Sequence, residues 1–438
     1  MTTPQAPPQT TPTECIRRTV EAVWRMESGK IIARLARLLR DVGLAEEVAQ
    51  DALVAALEHW PRDGAPDNPA AWLMTTARNR ALDLLRRGGL VERKHEVLMH
   101  EVELLGKRVT APEDAADDDI GDDLLRLVFV ACHPVLPTEA RVALTLRLLG
   151  GLTTAEIARA FLQAEPTVAQ RIVRAKRTLT AAHVPFEVPG AAERGARLGS
   201  VLEVIYLIFN EGYAATAGDD WMRPSLCDEA QRLGRILAEL VPTEPEVHGL
   251  VALIEIQASR AGARVGPGGE PVLLLDQDRA RWDQLLIRRG LAALARAESL
   301  GGALGPYALQ AAIAACHARA HTAADTDWAR IVALYDALAQ LSPSPVVELN
   351  RAVAVSMAFG PAAALEIVDR LATEPRLDGY HLLPSVRGDL LRRLGRLVEA
   401  GQEFARAAAL VRNARERALL LERATACNSA AAGDDRPR

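Results

Sequence analysis

Residues Gly150–Leu179 read GGLTTAEIARAFLQAEPTVAQRIVRAKRTL, and the phase of their apolar residues decides how the chain is to be understood. Thr153 and Glu156 have the T-x-x-E spacing of a capping box, which predicts a helix start. Pro166 suits the first turn of a second helix, where a missing N–H leaves no bond unmade. Ile157, Ala158 and Phe161 on the first helix, and Val168, Ile172, Ala175 and Leu179 on the second, recur at helical spacing and form inward stripes. Ala169, Gln170, Arg171, Arg174, Lys176 and Arg177 are left mostly outward. A helix that offers small and polar side chains first and cations afterwards suits a DNA major groove. The former reach base edges and the latter neutralise phosphates. An ordinary helical hairpin with a solvated basic face has the same pattern, so the rest of the chain has to choose between them.

At 438 residues the chain exceeds one ordinary core, and about 100–200 residues per domain points to two to four domains. The hydrophobic share is carried by Ala and Leu, with few aromatics and few β-branched alternating runs. That composition favours helix throughout, and the expected fold class is all-α. Cys15, Cys132, Cys227, Cys316 and Cys427 lie far apart with no C-x-x-C pair, which points to reduced thiols and to neither disulfides nor structural zinc. The N-terminal MTTPQAPPQTTPTE has no basic or apolar leader segment, and no uncharged apolar run reaches about 18 residues. A cytoplasmic protein that spans no membrane is expected.

The formal charge of −5 hides local segregation. Arg78, Arg80, Arg86, Arg87, Arg93 and Lys94 face only Asp83 and Glu92 within Arg78–Lys94, whereas APEDAADDDIGDD at 111–123 is acidic throughout. Nucleic-acid binding needs only a basic face. The first 14 residues, rich in Pro, Thr and Gln, are expected to be disordered. Helical patterns run from about Glu14 to Arg87. In GLAEEVAQDALVAALEHW, Leu44, Val48, Leu53 and Leu57 fall near one face and Glu46, Glu47, Gln50 and Asp51 largely off it. PRDGAPDNP reads as a loop, after which Asn68-Pro69 starts the helix AAWLMTTARNRALDLLRR and Gly88-Gly89 ends it. Cations at every turn of that helix after an aromatic, Trp72, would suit a phosphate backbone and an unstacked base, though Trp72 itself is expected in the core.

The boundaries expected are a disordered start at 1–14, compact helical units at 15–90 and 124–184, and an acidic linker at 91–123 between them. A helical extension at 190–300, repeat-like helices at 301–425 and a disordered tail at 426–438 follow. The repeat reading rests on Ala400, Phe404 and Ala407, with looser counterparts Ala364, Val368, Leu371 and Ile331, Tyr335, Leu338, an A-x3-F-x2-A pattern of tetratricopeptide second helices.

The order of AEEVAQDAL, NPAAWLMTTARNRALDLLRR, an acidic linker, LTLRLLGGLTTAEIARAF and TVAQRIVRAKRTL resembles region 2 followed by region 4 of the extracytoplasmic-function sigma factors, over roughly residues 15–184. The remainder, with LIFNEGY, DQDRARWD, GPYALQAAIAACHA and PVVELNRAVAV, is similar to the subgroup with a long tetratricopeptide-like extension. The resemblance implies roles. Glu46, Glu47, Gln50 and Asp51 would dock on the β′ clamp helices of core RNA polymerase, whose β flap would receive region 4. The loop through Asp67 and Asn68 would capture a flipped base of the −10 element, and Arg78, Asn79, Arg80, Asp83, Arg86 and Arg87 would read it. Thr167, Ala169, Gln170, Arg171, Arg174 and Lys176 would read the −35 element of promoter DNA. Ala169 stands where related factors carry a polar or basic residue, which shifts the expected weight to phosphate contacts from Arg171, Arg174 and Lys176. The extension would regulate or complete activity and offer its helical repeats to a protein partner.

No catalytic set, metal site or cofactor is expected. Asp276, Asp278 and Asp283 are read as facing water or pairing with Arg279 and Arg281. Glu203, Asn210 and Glu211 near Tyr206 and Tyr213 are also read as structural, as are Cys132-His133 and Cys316-His317. The competing reading is a polymerase-independent helix-turn-helix regulator with a ligand- or protein-sensing helical domain, which leaves the Arg78–Arg87 helix unexplained.

Overall fold

Every long regular element is an α-helix in the computed structural model, which describes residues 12–87, 123–161, 163–302 and 304–434; among these, β-structure is confined to isolated bridges pairing Gly218 with Asn413 and Val265 with Pro271. The all-α expectation therefore holds. The chain divides into two compact units, Met1–Val204 and Ile205–Arg438, with the division inside one helix, Ala191–Tyr213.

The first unit begins with α1 (Pro12–Leu39), α2 (Val42–Asp63) and α3 (Pro69–Arg87). It continues with α4 (123–131), α5 (Thr138–Leu148), α6 (Thr154–Ala160), α7 (Glu165–Ala181) and the start of α8 (Ala191–Tyr213). Residues 12–14, read above as disordered, are the first turn of α1. The 91–122 linker and Gly88-Gly89 lie outside the described residues. Asp123, the last acid of that run, is fully buried at the start of α4 instead of solvated.

The face of α2 differs from its sequence reading. Leu44 and Leu57 are 37 % and 38 % exposed, while Ala45, Val48, Ala49, Ala52, Ala55 and Ala56 are buried together with Glu46. Helices α1 and α2 pack along each other, and a row of alanines lets them approach where leucine would hold them apart. The buried stripe is therefore set by small size more than by hydrophobicity. Trp72 is half-buried, edge-on to the fully buried Trp60 at 5.5 Å between ring centroids.

Gly151 closes the turn into α6 at φ +64°, and a Cβ there would stand 2.7 Å from the Ser28 hydroxyl of α1. Glycine is needed on both counts, for backbone conformation and for space. The first half of α8 is tied back within the same unit, with Arg197 donating to the Phe129 carbonyl at 2.9 Å and the Ser200 hydroxyl to the Cys132 carbonyl at 2.6 Å.

The second unit takes the end of α8 and then α9 (Pro224–Leu240), α10 (Pro245–Ala258), α11 (Gln284–Ser299) and α12 (Pro306–Arg319). Helices α13 (Trp328–Leu341), α14 (Pro345–Phe359), α15 (Pro361–Leu371), α16 (Leu382–Arg393), α17 (Leu397–Leu410) and α18 (Ala414–Asp434) complete it. From α12 onward each helix packs on the next. Ala400, Phe404, Ala407, Ala364, Val368, Ile331 and Leu338 all face one continuous core, with Leu371 and Tyr335 packed against it. Residues 426–434, read as a disordered tail, continue α18, because Ala424 and Cys427 are buried in that core.

A second core joins α10, α11 and α12 through Ala252, Leu253, Ile256, Leu294, Ala311, Ala312, Ala314 and Ala315. The approach there is close enough that a Cβ on Gly249 would lie 2.7 Å from the Ala308 backbone nitrogen. Cys132, Cys227, Cys316 and Cys427 are free and buried.

Candidate nucleic-acid interface

Helix α6 starts as its sequence dictates. The Thr153 hydroxyl accepts from the Glu156 N–H at 3.1 Å and the Glu156 carboxylate accepts from the Thr153 N–H at 2.8 Å, a complete capping box. Burial raises the Glu156 carboxyl, but the hydrogen bonds from Thr153 and the Arg25 guanidinium at 2.5 Å together hold it below the usual range. Pro166 lies in the first turn of α7. Val168, Ile172, Ala175 and Leu179 are buried, and Ile157 and Ala158 are buried on α6. The hairpin core is the stripe read from the sequence except for Phe161, which is half-buried at the C-cap of α6.

The outward residues of α7 are not equivalent. Thr167, Gln170, Arg174 and Arg177 are exposed, and their steps of three, four and three put them along one face. Among the described residues no carboxylate pairs with Arg174 or Arg177. Ala169 is half-buried, and Arg171 donates to the Gln163 side chain at 2.7 Å. Lys176 turns away from that face and forms an ion pair with Glu46 of α2. The exposed run is polar at the helix start and basic towards its end, as major-groove reading requires. Arg177, outward by phase, belongs to this face and was absent from the set carried over from the resemblance.

Glu46 receives a second cation, Arg147 of α5, at 2.6 Å, and is 2 % exposed. Of the residues assigned to the polymerase face, Glu47 and Asp51 are exposed and Gln50 is half-buried, donating to Glu46. Asp123 of α4 draws Arg34, Arg37 and Arg126 to within 3.2, 3.5 and 2.6 Å. Burial pushes its carboxyl above the ordinary value even with these three cations beside it. Long-range ion pairs thus join α1 and α2 to α4, α5, α6 and α7. None of them follows from periodicity, because their partners are 86 to 131 residues apart for the pairs made by Arg25, Arg34, Arg37 and Arg147.

Helix α3 carries the other basic face. Asn68 accepts from the Ala71 N–H at 3.0 Å, the cap read from Asn68-Pro69. Asp67 and Asn68 are exposed in the preceding loop, with Asn79, Asp83 and Arg86 exposed and Arg78 and Arg80 half-buried along the helix. Arg80 stands 3.9 Å from Asp51 and Arg86 3.5 Å from Asp83, both solvent-exposed pairs that contribute little. Arg78 has no ion-pair partner among the described residues. Arg87 ends the helix, and its side chain lies outside the described residues.

Four of the acids read as structural, Glu203 in the first unit and Glu211, Asp278 and Asp283 in the second, serve as caps or ion-pair partners. Asp283 caps α11 by accepting from Leu285 and Leu286 N–H at 2.8 and 3.0 Å, and Asp278 accepts from Ala280 N–H at 3.0 Å. Asp276, Asp278 and Asp283 are all exposed, the first of the two alternatives expected, and among the described residues none pairs with Arg279 or Arg281. Glu211 pairs with Arg223, and Glu203 with Arg141 at 3.0 Å. Among the described residues no group of histidine, cysteine or carboxylate side chains could hold a metal ion, and no helix is long and apolar enough to cross a membrane.

A capped helix-turn-helix with a polar-to-basic exposed stripe, carried with a second exposed basic helix, defines a DNA-binding transcription protein. Comparison with known proteins narrows the class. Residues 24–90 match Sigma-70 region 2 and residues 126–179 match Sigma-70, region 4, while residues 197–298 match a family of unknown function (DUF6596). The chain is 32 % identical over 156 residues to the ECF RNA polymerase sigma factor SigK of Mycobacterium ulcerans, covering 34 % of this chain and 78 % of SigK. It is 33 % identical over 144 residues to SigL of Mycobacterium tuberculosis, covering 33 % of this chain and 76 % of SigL. The protein R00370 of Rhizobium meliloti is 47 % identical over 390 residues, 88 % of this chain and 90 % of that one. The chain belongs to the extracytoplasmic-function (ECF) RNA polymerase sigma factors, which direct transcription initiation.

Proposed function

We propose that this sigma factor binds core RNA polymerase and reads two promoter elements, with α3 and the loop through Asp67 and Asn68 on the −10 element and α7 on the −35 element. The observation that carries the reading is the presence of two helices, α3 capped by Asn68 and α7 started by Pro166, whose arginines have no carboxylate partner among the described residues: Arg78, half-buried on α3, and Arg174 and Arg177, exposed on α7. Phosphate contacts come from the arginines, and Thr167 and Gln170 reach base edges. Extruding a −10 base costs a few kcal/mol of unstacking, which pocket contacts offset. Glu47, Gln50 and Asp51 present the polymerase-binding face. Glu46 and Lys176, assigned to polymerase and to DNA, neutralise each other here, so engagement of both targets requires the Glu46 seam to part.

The tetratricopeptide-like reading of α12–α18 is supported by the shared core of the repeated positions. Such helical arrays suit protein partners, and the extension regulates or completes activity. Reconstitution with purified core polymerase tests the reading: specific transcripts from a genomic template are expected, with fewer from Arg174→Ala and Arg78→Ala. Absence of both a core complex and a new start site would sink it, and tight operator binding without polymerase would favour an ordinary regulator. A chain truncated after Phe186 that transcribes unchanged would remove the extension from the mechanism.

A further inference from the structure

Three arginines of the second unit are gathered around aromatic rings with no acid among them. Arg264 lies 3.5 Å from the centroid of the Tyr213 ring and 5.4 Å from that of Trp221. Arg260 faces Tyr213 at 5.8 Å and also Trp282 at 5.7 Å, and Arg279 faces Trp282 at 4.9 Å. Rings shared in this way link the three guanidinium groups into one cluster. The bonds that hold them go to neutral acceptors. Arg260 donates to the Tyr213 hydroxyl at 2.5 Å and Arg264 to the Tyr213 carbonyl, while Arg279 donates to the carbonyls of His317 and Ala320 and to the Thr326 hydroxyl.

Neutral acceptors fix the orientation of a guanidinium and leave its charge in place. Elsewhere in the same unit partly buried arginines do meet carboxylates: Arg223 with Glu211, Arg235 with Glu255, Arg387 with Glu403, Arg423 with Asp389. Among the described residues no carboxylate comes within ion-pairing distance of Arg260, Arg264 or Arg279. Asp325, fully exposed, is the acid whose field reaches Arg279. Like-charged groups gathered partly out of water repel one another and lose hydration, and rings facing them recover only part of that. The same two cations add to the effect of burial at His317, which burial first and then Arg260 and Arg279 push down to about 4.

Polar atoms without partners also gather at this place, and four of the five are N–H donors whatever the tautomer of His317. Nε of Arg260 and of Arg279, Nε1 of Trp221 and of Trp282, and Nδ1 of His317 are buried without a hydrogen-bond partner. Trp282 is 4 % exposed, Arg264 7 % and His317 8 %. Buried polar groups are nearly always partnered, so five orphans beside three uncompensated cations point to a missing acceptor that is negatively charged.

We propose that this cluster binds an oxyanion, the phosphate or carboxylate group of a small molecule, between the guanidinium groups and the indole N–H donors. Arg260, facing both Tyr213 and Trp282, is the central contact. Guanidinium forks match phosphate and carboxylate oxygens, and such charge-assisted bonds are the strong ones. All the ligating residues but His317 fall within the 197–298 match of unassigned function. The site is independent of the promoter-reading helices and makes the extension a receptor for a metabolite-sized anion.

Titration calorimetry on the full chain at constant ionic strength, with inorganic phosphate and with benzoate as separate probes and chloride as the control, tests the site. Saturable one-to-one binding of phosphate alone assigns a phosphoryl ligand, and of benzoate alone a carboxylate. Arg260→Gln and Arg279→Gln, both at half-buried positions, are expected to weaken binding about tenfold or more, with helical circular dichroism confirming that each variant is folded. Absence of saturable binding by either probe, or binding that both folded variants retain within about twofold, overturns the proposal.

Discussion

Glu46 in the first unit and Arg264 in the second are almost equally withdrawn from water, at 2 % and 7 % exposure, yet their surroundings differ in sign and in completeness. Glu46 meets two cations, Arg147 and Lys176, brought from two other helices. Arg264 meets two rings, a carbonyl and, across the shared Tyr213 ring, one further cation, Arg260. A buried ion pair that is closed on itself costs much to break and little to leave alone. An open cluster of one sign is destabilising until something from outside closes it. The first unit supplies counter-charges for its buried acids from its own helices, whereas the second gathers three cations with no carboxylate in ion-pairing distance among the described residues.

The largest effect is expected from opening the closed side. Glu46→Ala leaves Arg147 and Lys176 facing each other without an acid and should destabilise the first unit by about 3–5 kcal/mol, read from the urea midpoint followed by Trp60 and Trp24 emission. Acid probes the open side. His317 is neutral in the folded chain, its value lowered from 6.5 to about 4, so the folded state binds fewer protons than the unfolded one between those limits. Stability is full above pH 6.5, falls as pH drops towards 4, and the loss is at most about 3 kcal/mol. His317→Gln should flatten that part of the stability profile.

A smaller cost separates the two sides more finely. Arg264→Met keeps much of the side-chain volume, loses one bond to a carbonyl and relieves repulsion, so it should cost about 1–2 kcal/mol, well below Glu46→Ala. Equal losses from the two substitutions would show that Arg264 is as fully compensated as Glu46. Smallest is Thr153→Ala, which removes one half of the capping box for about 1 kcal/mol, measured in the same urea series. The Glu156 carboxylate held by that box contributes stability above the ordinary pH 4.5, and the contribution disappears as pH falls through its lowered value.

The parts of this molecule legible from sequence are those governed by neighbours along the chain. The stripe Val168, Ile172, Ala175 and Leu179, the Thr153–Glu156 box and the Asn68 cap are each decided within a few residues, and each stands as read. Helix α2 was misphased because its contact row is alanine, which carries little hydrophobic signal but permits close approach. Lys176 was assigned outward with its neighbours, and a carboxylate 130 positions away in sequence holds it instead. Asp278 and Asp283 face water, one of the two alternatives expected, but the caps they form were not read, since backbone N–H groups at a helix start compete for the same carboxylates. The arginine cluster was illegible for a like reason: its members are spread from Tyr213 to His317 and meet only when the end of α8, α12 and the segments between them are assembled.

The alanine seam where α10 meets α12 has a consequence for how this chain can drift. At Gly249 the neighbouring backbone is already within reach of one added carbon, and Ala252, Ala311 and Ala315 are wholly enclosed. Enlarging any of them wedges two helices apart, and shrinking an alanine to glycine gives up both contact and helix propensity. Neither direction of change is open to a single step, so variation at such positions has to arrive in compensating pairs, a small residue on one helix traded for a smaller one opposite.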